Sequence, residues 1–284
     1  MAEKLSYTHS QGTPFAKRAL DDISIAIPAG QFLCIIGTTG SGKTTLVQHF
    51  NGLLAPQQGK LQILGVDCGN KKQRLQLWRQ VGLVFQYPEH QLFEDTVYNE
   101  IAYGLKNLAL PHQQIDQRVH RSLDYVGLPP AILEESPLSL SGGLKRRVAI
   151  ASVLAMQPKI LILDEPTAGL EPAAKRTFFN NIKQLQRATQ GTIIMITHSM
   201  EDAATVADRL VVLDRGKIVM EGTPETVYSR IDELTAIGLT APVEVQVLKH
   251  LKAKGIPVRT NILTPEKAVQ EIVKNKAAFK ICGR

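Results

Sequence analysis

The stretch FLCIIGTTGSGKTTLVQHF, residues 32–50, joins a short apolar run, a glycine-rich loop and a helical pattern. Its loop fits G-x-x-x-x-G-K-[ST] and stands where that motif must stand, after a buried strand and at the start of a helix. Backbone N–H groups of such a loop surround phosphates, Lys43 adds a cation, and the Thr44 hydroxyl can hold Mg²⁺. The spacing therefore predicts a nucleotide phosphate site. Its residues are Gly37, Thr38, Thr39, Gly40, Ser41, Gly42, Lys43, Thr44 and Thr45.

Further apolar runs lie along the chain, and each is followed by a helical pattern. The runs VGLVF, KILILDEP and GTIIMITHS begin at residues 81, 159 and 191. Alternation of buried strands with helices is typical of a mostly parallel sheet that is covered on both faces. The segment 209–224 instead predicts a hairpin with its turn at Asp214 to Gly216. The predicted fold class is therefore α/β, with a mostly parallel sheet as its core and an antiparallel part.

The chain divides into a large and a small predicted domain. Residues 1–234 hold the alternation of strands and helices, and a helical pattern over about 87–157 predicts a helical subdomain inserted into the sheet domain. Residues 235–284 predict a small C-terminal domain with two short helices. This extension is basic, because residues 241–284 carry nine Lys or Arg against three Asp or Glu. Solvated helix faces explain such charge, and contact with anionic lipid or an acidic partner is the alternative.

Polar side chains end three of the predicted strands. Asp164 and Glu165 follow ILIL, His198 follows IIMIT, and Gln86 follows VGLVF. Carboxylates at an apolar strand end are expensive to leave unpaired, so we expect Asp164 to join Thr44 at Mg²⁺ and Glu165 to polarise the water that attacks the γ-phosphate. We expect His198 to contact that phosphate, and Gln86 to reach both Mg²⁺ and the water. The alternatives are a helix-capping acid pair and a structural histidine.

A second glycine pair opens another helical pattern in LSLSGGLKRRVAIASV, residues 138–153. Exposed N–H groups, small side chains and the positive end of a helix dipole make an anion site. We expect the inserted helical subdomain to hold this site too far from the first loop to reach the same phosphates. A head-to-tail pair of chains would satisfy both sites, with Ser141, Gly142 and Gly143 of each chain binding the γ-phosphate held by the other.

In order and identity these motifs resemble those of the ATP-binding cassette (ABC) ATPases, over residues 1 to about 230. The matching positions are 37–45, Gln86, 140–144, 160–165, 168–171 and His198. Within that family, VFQYPEHQLFEDTVYNEIAYG, the entry YTHSQGTPFAKRALDDIS and the basic extension look most like the second ATPase type of the energy-coupling factor (ECF) importers.

The resemblance implies a P-loop NTPase fold, with residues 1–234 as an ABC ATP-binding domain. It implies ATP and Mg²⁺ as ligands, and ATP hydrolysis that drives uptake of a vitamin or a metal ion. The implied place is peripheral, at the cytoplasmic face of the cell membrane. The implied partners are a sister ABC ATPase, with a heterodimer favoured over a homodimer, a transmembrane coupling protein and a substrate-binding membrane protein.

Three positions depart from the family pattern. His9 stands where an aromatic residue, usually Tyr, stacks on adenine, and Phe15 or Tyr7 are the alternatives. Leu144 replaces the usual Gln of the family's signature sequence, LSGGL at 140–144. Glu171 replaces the usual Asp of the segment AGLE at 168–171. We therefore expect the glycine N–H groups, rather than the side chain at 144, to carry the second phosphate contact.

The segment after Gln86 combines apolar and acidic residues in a chain with net charge +7. We expect it to be the docking surface for the coupling protein, because an acidic and aromatic groove suits a basic helix. An ordinary amphipathic helix that closes on the sheet domain is the alternative. The residues expected to be exposed are Leu92, Phe93 and Val97, with Glu89, Glu94, Asp95 and Glu100 as the acids.

Other classes of protein fit the sequence less well. No apolar run approaches the roughly 20 residues that span a bilayer, the start of the chain predicts no signal peptide, and three scattered cysteines predict neither a disulfide framework nor a zinc site. We expect no nucleic-acid partner, because no heptads separate the two glycine motifs and the basic tail lacks interleaved aromatic residues. A P-loop kinase or GTPase lacks the second motif. Another ABC importer class is the main alternative.

Overall fold

The computed structural model describes residues 1–275, and within them ten strands and eleven α-helices. The strands are β1 (Ala2–His9), β2 (Lys17–Ile25), β3 (Phe32–Ile36), β4 (Gln58–Ile63), β5 (Val66–Asp67), β6 (Val81–Val84), β7 (Ile160–Asp164), β8 (Thr192–Ile196), β9 (Arg209–Asp214) and β10 (Lys217–Gly222). The helices are α1 (Lys43–Phe50), α2 (Lys71–Arg74), α3 (Val97–Asn107), α4 (His112–Val126), α5 (Gly142–Ala155), α6 (Pro172–Thr189), α7 (Met200–Val206), α8 (Pro224–Ser229), α9 (Ile231–Ala236), α10 (Val243–Ala253) and α11 (Pro265–Lys274).

A six-stranded sheet forms the centre of the molecule, in the order β10-β9-β3-β8-β7-β6. Strands β9, β3, β8, β7 and β6 are mutually parallel, and β10 pairs antiparallel with β9 at the edge. The hairpin turn falls at Arg215 and Gly216, both with positive φ, as a two-residue turn requires. The predicted α/β class is therefore confirmed. Because the strands are parallel, the carboxyl ends of β3, β8, β7 and β6 meet at one edge of the sheet.

A second, antiparallel sheet has the order β2-β1-β4-β5. Its strands alternate buried and exposed side chains, which is typical of a sheet with one wet face. The buried face packs with α1 and one face of the central sheet to form one apolar core. The other face of the central sheet packs against α3, α4, α5 and α6 in a larger core. Two layers therefore cover the central sheet, as the nearly continuous apolar runs of β3 and β8 predict.

Helices α3, α4 and α5 lie between β6 and β7 in the chain and pack against one another. The side chain of Thr96 accepts the N–H of Asn99 and so caps α3, and Gly127 ends α4 in the left-handed region. One short 3-10 turn precedes α3 and two more lie between α4 and α5, so the segment after Gln86 is helical with interruptions.

The segment 87–105, called the docking segment for its expected role, is only partly exposed. Phe93 is 60% exposed, as expected, whereas Leu92 and Val97 are 7% and 0% exposed, so the expectation for these two is wrong. They face inward because they continue the apolar face of α3 into the main core. Glu100 is also buried, and its carboxylate accepts the N–H groups of Phe93 and Glu94 at 2.9 Å each. Glu100 is therefore a structural cap of this loop.

The C-terminal extension contains α10 and α11, and Leu248 belongs with Ile256 and Val258 to a third, small core. Leu239 and Val245 nevertheless belong to the main core. The division between 234 and 235 stays a prediction. Cys282 and the last three basic residues of the tail lie outside the described residues. Among the described residues, no helix combines the length and the apolar character needed to cross a bilayer.

Candidate nucleotide site

The loop that follows β3 is built around close backbone approaches. Gly37 has φ +158, and a Cβ added there would lie 2.2 Å from the carbonyl oxygen of Leu213. Gly42 has φ +105, and a Cβ added there would lie 2.3 Å from the carbonyl oxygen of Ala19. Any side chain at these two positions would push the loop away from β9 and β2. Glycine is therefore required by the packing of the loop as well as by its curvature.

Lys43 begins α1 and folds back over this loop. Its Nζ donates to the carbonyl oxygens of Gly37 and Thr38 at 2.8 Å each, and the residue is only 6% exposed. Burial lowers the pKa of Lys43, and Glu165 and Asp164 oppose that shift. Ser41 Oγ is buried and has no hydrogen-bond partner in the described residues. A cation and an unpaired hydroxyl thus line this loop, which fits the phosphates of a nucleotide.

Thr44 and Asp164 come from different elements and meet beside the loop. The Thr44 hydroxyl donates to Oδ2 of Asp164 at 3.3 Å, and Asp164 is 5% exposed at the end of β7. Burial raises the pKa of Asp164, while the bond from Thr44 and the charge of Lys43 lower it. A hydroxyl and a carboxylate at this spacing are hard oxygen donors of the kind that Mg²⁺ prefers. These two side chains therefore fit a magnesium ion.

Glu165 lies one residue past β7 in an unusual backbone conformation. Its φ is +50, and its N–H donates to the carbonyl oxygen of Ile196 in β8 at 3.0 Å. Its Oε1 lies 3.3 Å from Nε2 of His198, which follows the end of β8. Burial raises the pKa of Glu165 to about 7, against the opposing effects of His198 and Lys43. The side chain is thus a carboxylate that accepts a proton near neutral pH, as a general base does.

His198 and Gln86 stand at the same edge of the sheet as Glu165. The His198 side chain is 50% exposed, and burial together with the charge of Lys43 lowers its pKa. Gln86 is exposed and follows β6, the strand that pairs with β7. The next residue, Tyr87, has φ +55 and turns the chain away toward the helical subdomain. The structure therefore brings the predicted strand-end residues to one place.

His9 lies beside the same loop. A cavity of about 200 Å³ is lined by His9, Lys17, Ala19 and residues of the loop and α1. Nε2 of His9 lies 3.0 Å from Oγ1 of Thr45, and its ring packs edge to face on Tyr7 with centroids 4.9 Å apart. Phe15 is 84% exposed and does not line this cavity. Lys17, which no motif in the sequence singles out, faces His9 across the β1–β2 ladder.

The second glycine motif opens α5, away from this cavity. Ser141 precedes the helix with extended φ and ψ, and Gly142 and Gly143 are exposed. A Cβ added to either glycine would meet no described atom within 4 Å. Packing within the chain therefore does not require glycine at 142 or 143, and the open space leaves room for close approach of an external group. Leu144 packs against the main core, which turns its side chain inward.

Arg146 was not identified from the sequence, where it stands in a run of three basic residues. Its Nη1 donates to the carbonyl oxygen of Ala168 at 2.6 Å, and its Nη2 donates to that of Glu165 at 2.5 Å. The residue is 7% exposed. No pattern in the sequence distinguishes it from its neighbours, because only the fold brings α5 beside the end of β7.

A comparison with known families matches the ABC transporter family over residues 20–168, more than half of the chain. The chain belongs to this family. The match ends shortly after Glu165, so the phosphate-binding loop, Gln86, the LSGG motif and the strand-end carboxylates all lie within it. Membership makes the chain an ATP-binding protein whose ATP hydrolysis is coupled to transport.

Curated relatives extend the likeness to nearly the full length. The energy-coupling factor transporter ATP-binding protein EcfA2 of Caldanaerobacter subterraneus subsp. tengcongensis is 46% identical over 96% of each chain. The protein of the same name from Clostridium tetani is also 46% identical, over 97% of each chain. The resemblance to the second ECF ATPase type is therefore confirmed.

Solved structures agree on the fold. CbiO1 of Clostridium perfringens, described as part of the ABC transporter complex CbiONQ, is 34% identical with a TM-score of 0.73, over 89% of this chain and 97% of that one. A dimeric ATP-binding cassette in a post-hydrolysis state, bound to ADP and Pi, is 25% identical with a TM-score of 0.72, over 78% and 97% of the two chains. The P-loop NTPase fold of the ABC ATPases is thus confirmed.

Proposed function

We propose that this chain is the ATP-hydrolysing subunit of an ECF-type importer that takes up a vitamin or a metal ion. Two relatives that share 46% identity over nearly the whole chain carry the name of ECF transporter ATP-binding proteins. The structural observation that carries the proposal is the 3.3 Å approach of Glu165 and His198, beside the paired Thr44 and Asp164. Glu165 would act as the general base with His198 beside it, next to a site suited to Mg²⁺.

Each side chain at the sheet edge receives a role in this proposal. Residues 37–45 hold the ATP phosphates, with Lys43 as the cation. Thr44, Asp164 and Gln86 would hold Mg²⁺, which would supply positive charge to stabilise the phosphates during hydrolysis. Glu165 accepts the proton of the attacking water, and His198 orients that water from its exposed position above Glu165. His9, in the cavity beside the loop, contacts the adenine.

A second chain completes the site. The exposed Ser141, Gly142 and Gly143 need a ligand from outside this chain, and the N-terminus of α5 favours an anion there. We infer that these residues bind the γ-phosphate held by a sister ATPase, which we propose to be a different subunit. Residues 1–234 would then be the ATP-binding domain that closes on its sister, and 235–284 a basic C-terminal domain.

Transport requires partners in the membrane. We propose a peripheral location at the cytoplasmic face of the membrane, with a transmembrane coupling protein bound to the segment after Gln86 and a substrate-binding membrane protein beyond it. Phe93 and Tyr103 stack edge to face with centroids 5.0 Å apart on the exposed side of this segment. The exposed aromatic pair, next to Asp95, offers a basic helix both an apolar and an acidic contact.

Copurification from membranes is the test. A tagged chain is expressed in the native host. The membranes are extracted in mild detergent, the tagged chain is captured, and its partners are identified by mass spectrometry. The proposal expects a second ABC ATPase and two integral membrane proteins, and ATP-driven uptake of a vitamin or metal ion after reconstitution in liposomes. Recovery of a complex that contains two copies of this chain and the permease of another importer class would contradict the ECF assignment.

A further inference from the structure

Arg146 joins parts of the molecule that are far apart in sequence. It lies early in α5, close to the exposed glycines, and is almost fully buried. Its two terminal nitrogens donate to the carbonyl oxygens of Glu165 and Ala168. Both carbonyls belong to the turn that follows β7. The helix that presents the LSGG motif is therefore tied directly to the turn that carries the proposed general base.

That turn needs external support. Glu165 has φ +50, a region that residues other than glycine rarely adopt. Within the turn, the N–H of Ala168 donates to the Glu165 carbonyl oxygen in a long bond of 3.3 Å. The N–H of Glu165 donates to the carbonyl oxygen of Ile196, outside the turn. The planar guanidinium of Arg146 spans the two carbonyls of the turn, and buried carbonyls without such a donor are costly. Arg146 therefore helps to set the direction in which the Glu165 side chain leaves the backbone, toward His198.

A third polar atom of Arg146 lies on the side of the docking segment, whose Pro88–Gln91 turn packs against α5. The Nε–H of Arg146 and Oε2 of Glu89 are both buried, and neither has a hydrogen-bond partner among the described residues. Glu89 lies in the short helical turn Pro88–Gln91, which packs against α5. Burial lowers the pKa of Arg146, and Glu89 is the strongest of the charges that oppose this shift. Two groups of opposite charge thus lie near each other without a direct bond.

We propose that Arg146 is a positioning residue for Glu165, and that Glu89 is the group through which the docking segment acts on Arg146. A shift of the Pro88–Gln91 turn by a bound partner pairs Glu89 with the Nε–H, moves the guanidinium and so changes its hold on the turn at Glu165. The coupling protein thereby alters hydrolysis without any contact to the nucleotide. The inference rests on the proposed role of Glu165 as general base.

The first test replaces Arg146 with Lys in the assembled complex, with Arg187→Lys, an exposed arginine on α6, as the matched control. Lysine keeps the charge but lacks the planar fork that reaches two carbonyls. We expect kcat for ATP hydrolysis to fall at least about tenfold while KM changes less than about twofold, because Arg146 does not touch ATP.

A double-mutant cycle separates this role from a general loss of structure. In a Glu165→Gln background, Arg146→Lys lowers the residual rate by less than about twofold, because its effect passes through the side chain already removed. An unchanged kcat in Arg146→Lys, or an equal fold loss in both backgrounds, would overturn the inference. Normal hydrolysis by Glu165→Gln alone would overturn the proposed function, and the inference with it.

The second test concerns Glu89. Glu89→Gln is compared with the exposed Glu134→Gln as control, and hydrolysis is measured with and without transported substrate. In liposomes, transported substrate stimulates hydrolysis less in Glu89→Gln than in the control, and Glu89→Gln adds no further change to Arg146→Lys. Full stimulation in Glu89→Gln, or additive effects of the two substitutions, would contradict the link.

Discussion

Nε2 of His198 lies 3.3 Å from Oε1 of Glu165, although the two residues end different strands. The contact exists because β7 and β8 are adjacent and parallel, so that Asp164 and Ile196 are register partners at the edge of the sheet. The N–H of Glu165 donates to the carbonyl of Ile196 and fixes this register at the turn. The sheet itself thereby holds together the proposed base and the histidine proposed to orient the water.

ATP hydrolysis by the assembled complex should depend on pH through Glu165. Burial raises the pKa of this carboxyl to about 7. A general base acts in its ionised form, so kcat is expected to rise as the pH increases from 6 to 8, with a midpoint near the pKa. Steady-state kcat measured across this range, at saturating ATP and Mg²⁺, checks the prediction. A flat profile, with stability shown to be constant, would argue against Glu165 as the base.

The same pKa shift predicts a pH-dependent gain in stability for Glu165→Gln. Below the ordinary glutamate pKa, both the folded and the unfolded states hold the proton and the carboxyl imposes no penalty. As the pH rises toward about 7, the unfolded chain ionises while the folded one keeps its proton, so the stability of wild type falls. The difference in Tm between the variant and wild type should therefore be larger at pH 8 than at pH 5. An equal difference at both values would contradict the shift.

Much of this site could be predicted from the sequence because its chemistry is carried by short motifs at strand ends. The loop 37–45, Asp164, Glu165 and His198 each follow a recognisable apolar run, and parallel strands bring their carboxyl ends together. The prediction that Leu92 and Val97 are exposed is wrong, because local composition does not show which side of a helix a larger core covers. Arg146 could not be found, since its contacts depend on how α5 packs beside β7, and its partners Glu165 and Ala168 lie 19 and 22 residues further along the chain.

The LSGG motif and the residue after it should tolerate substitution at Leu144 but not at Gly143. Leu144 packs inward, so Leu144→Gln is expected to change turnover by less than about tenfold, because the N–H groups of the glycines carry the phosphate contact. Gly143→Asp places a carboxylate where an anion is to bind and should abolish hydrolysis. Both variants are compared in the assembled complex, with melting temperature as the control for folding. Normal turnover by Gly143→Asp would show that LSGG is not a phosphate site.

Charge reversal at Glu94 and Asp95 should disrupt docking. Asp95 is exposed and Glu94 half-buried beside Phe93, so lysines at both positions would repel a basic helix. Copurification with membrane subunits and substrate uptake are expected to fall, while ATP binding by the isolated chain is unchanged. The double reversal of Asp124 and Glu266, two exposed acids elsewhere, is the control. Intact assembly and uptake would refute the docking surface, and lost ATP binding would assign the segment a structural role.

The most direct measurement is ATP turnover by Glu165→Gln in the assembled complex, with ATP affinity measured in parallel. Glutamine keeps the size of the side chain and one acceptor oxygen but cannot accept the proton of the attacking water. Turnover is therefore expected to fall at least about 100-fold, the scale of a lost general base, while ATP affinity changes little. Hydrolysis close to the wild-type rate, with ATP bound normally, would contradict the assignment of Glu165 as the catalytic base.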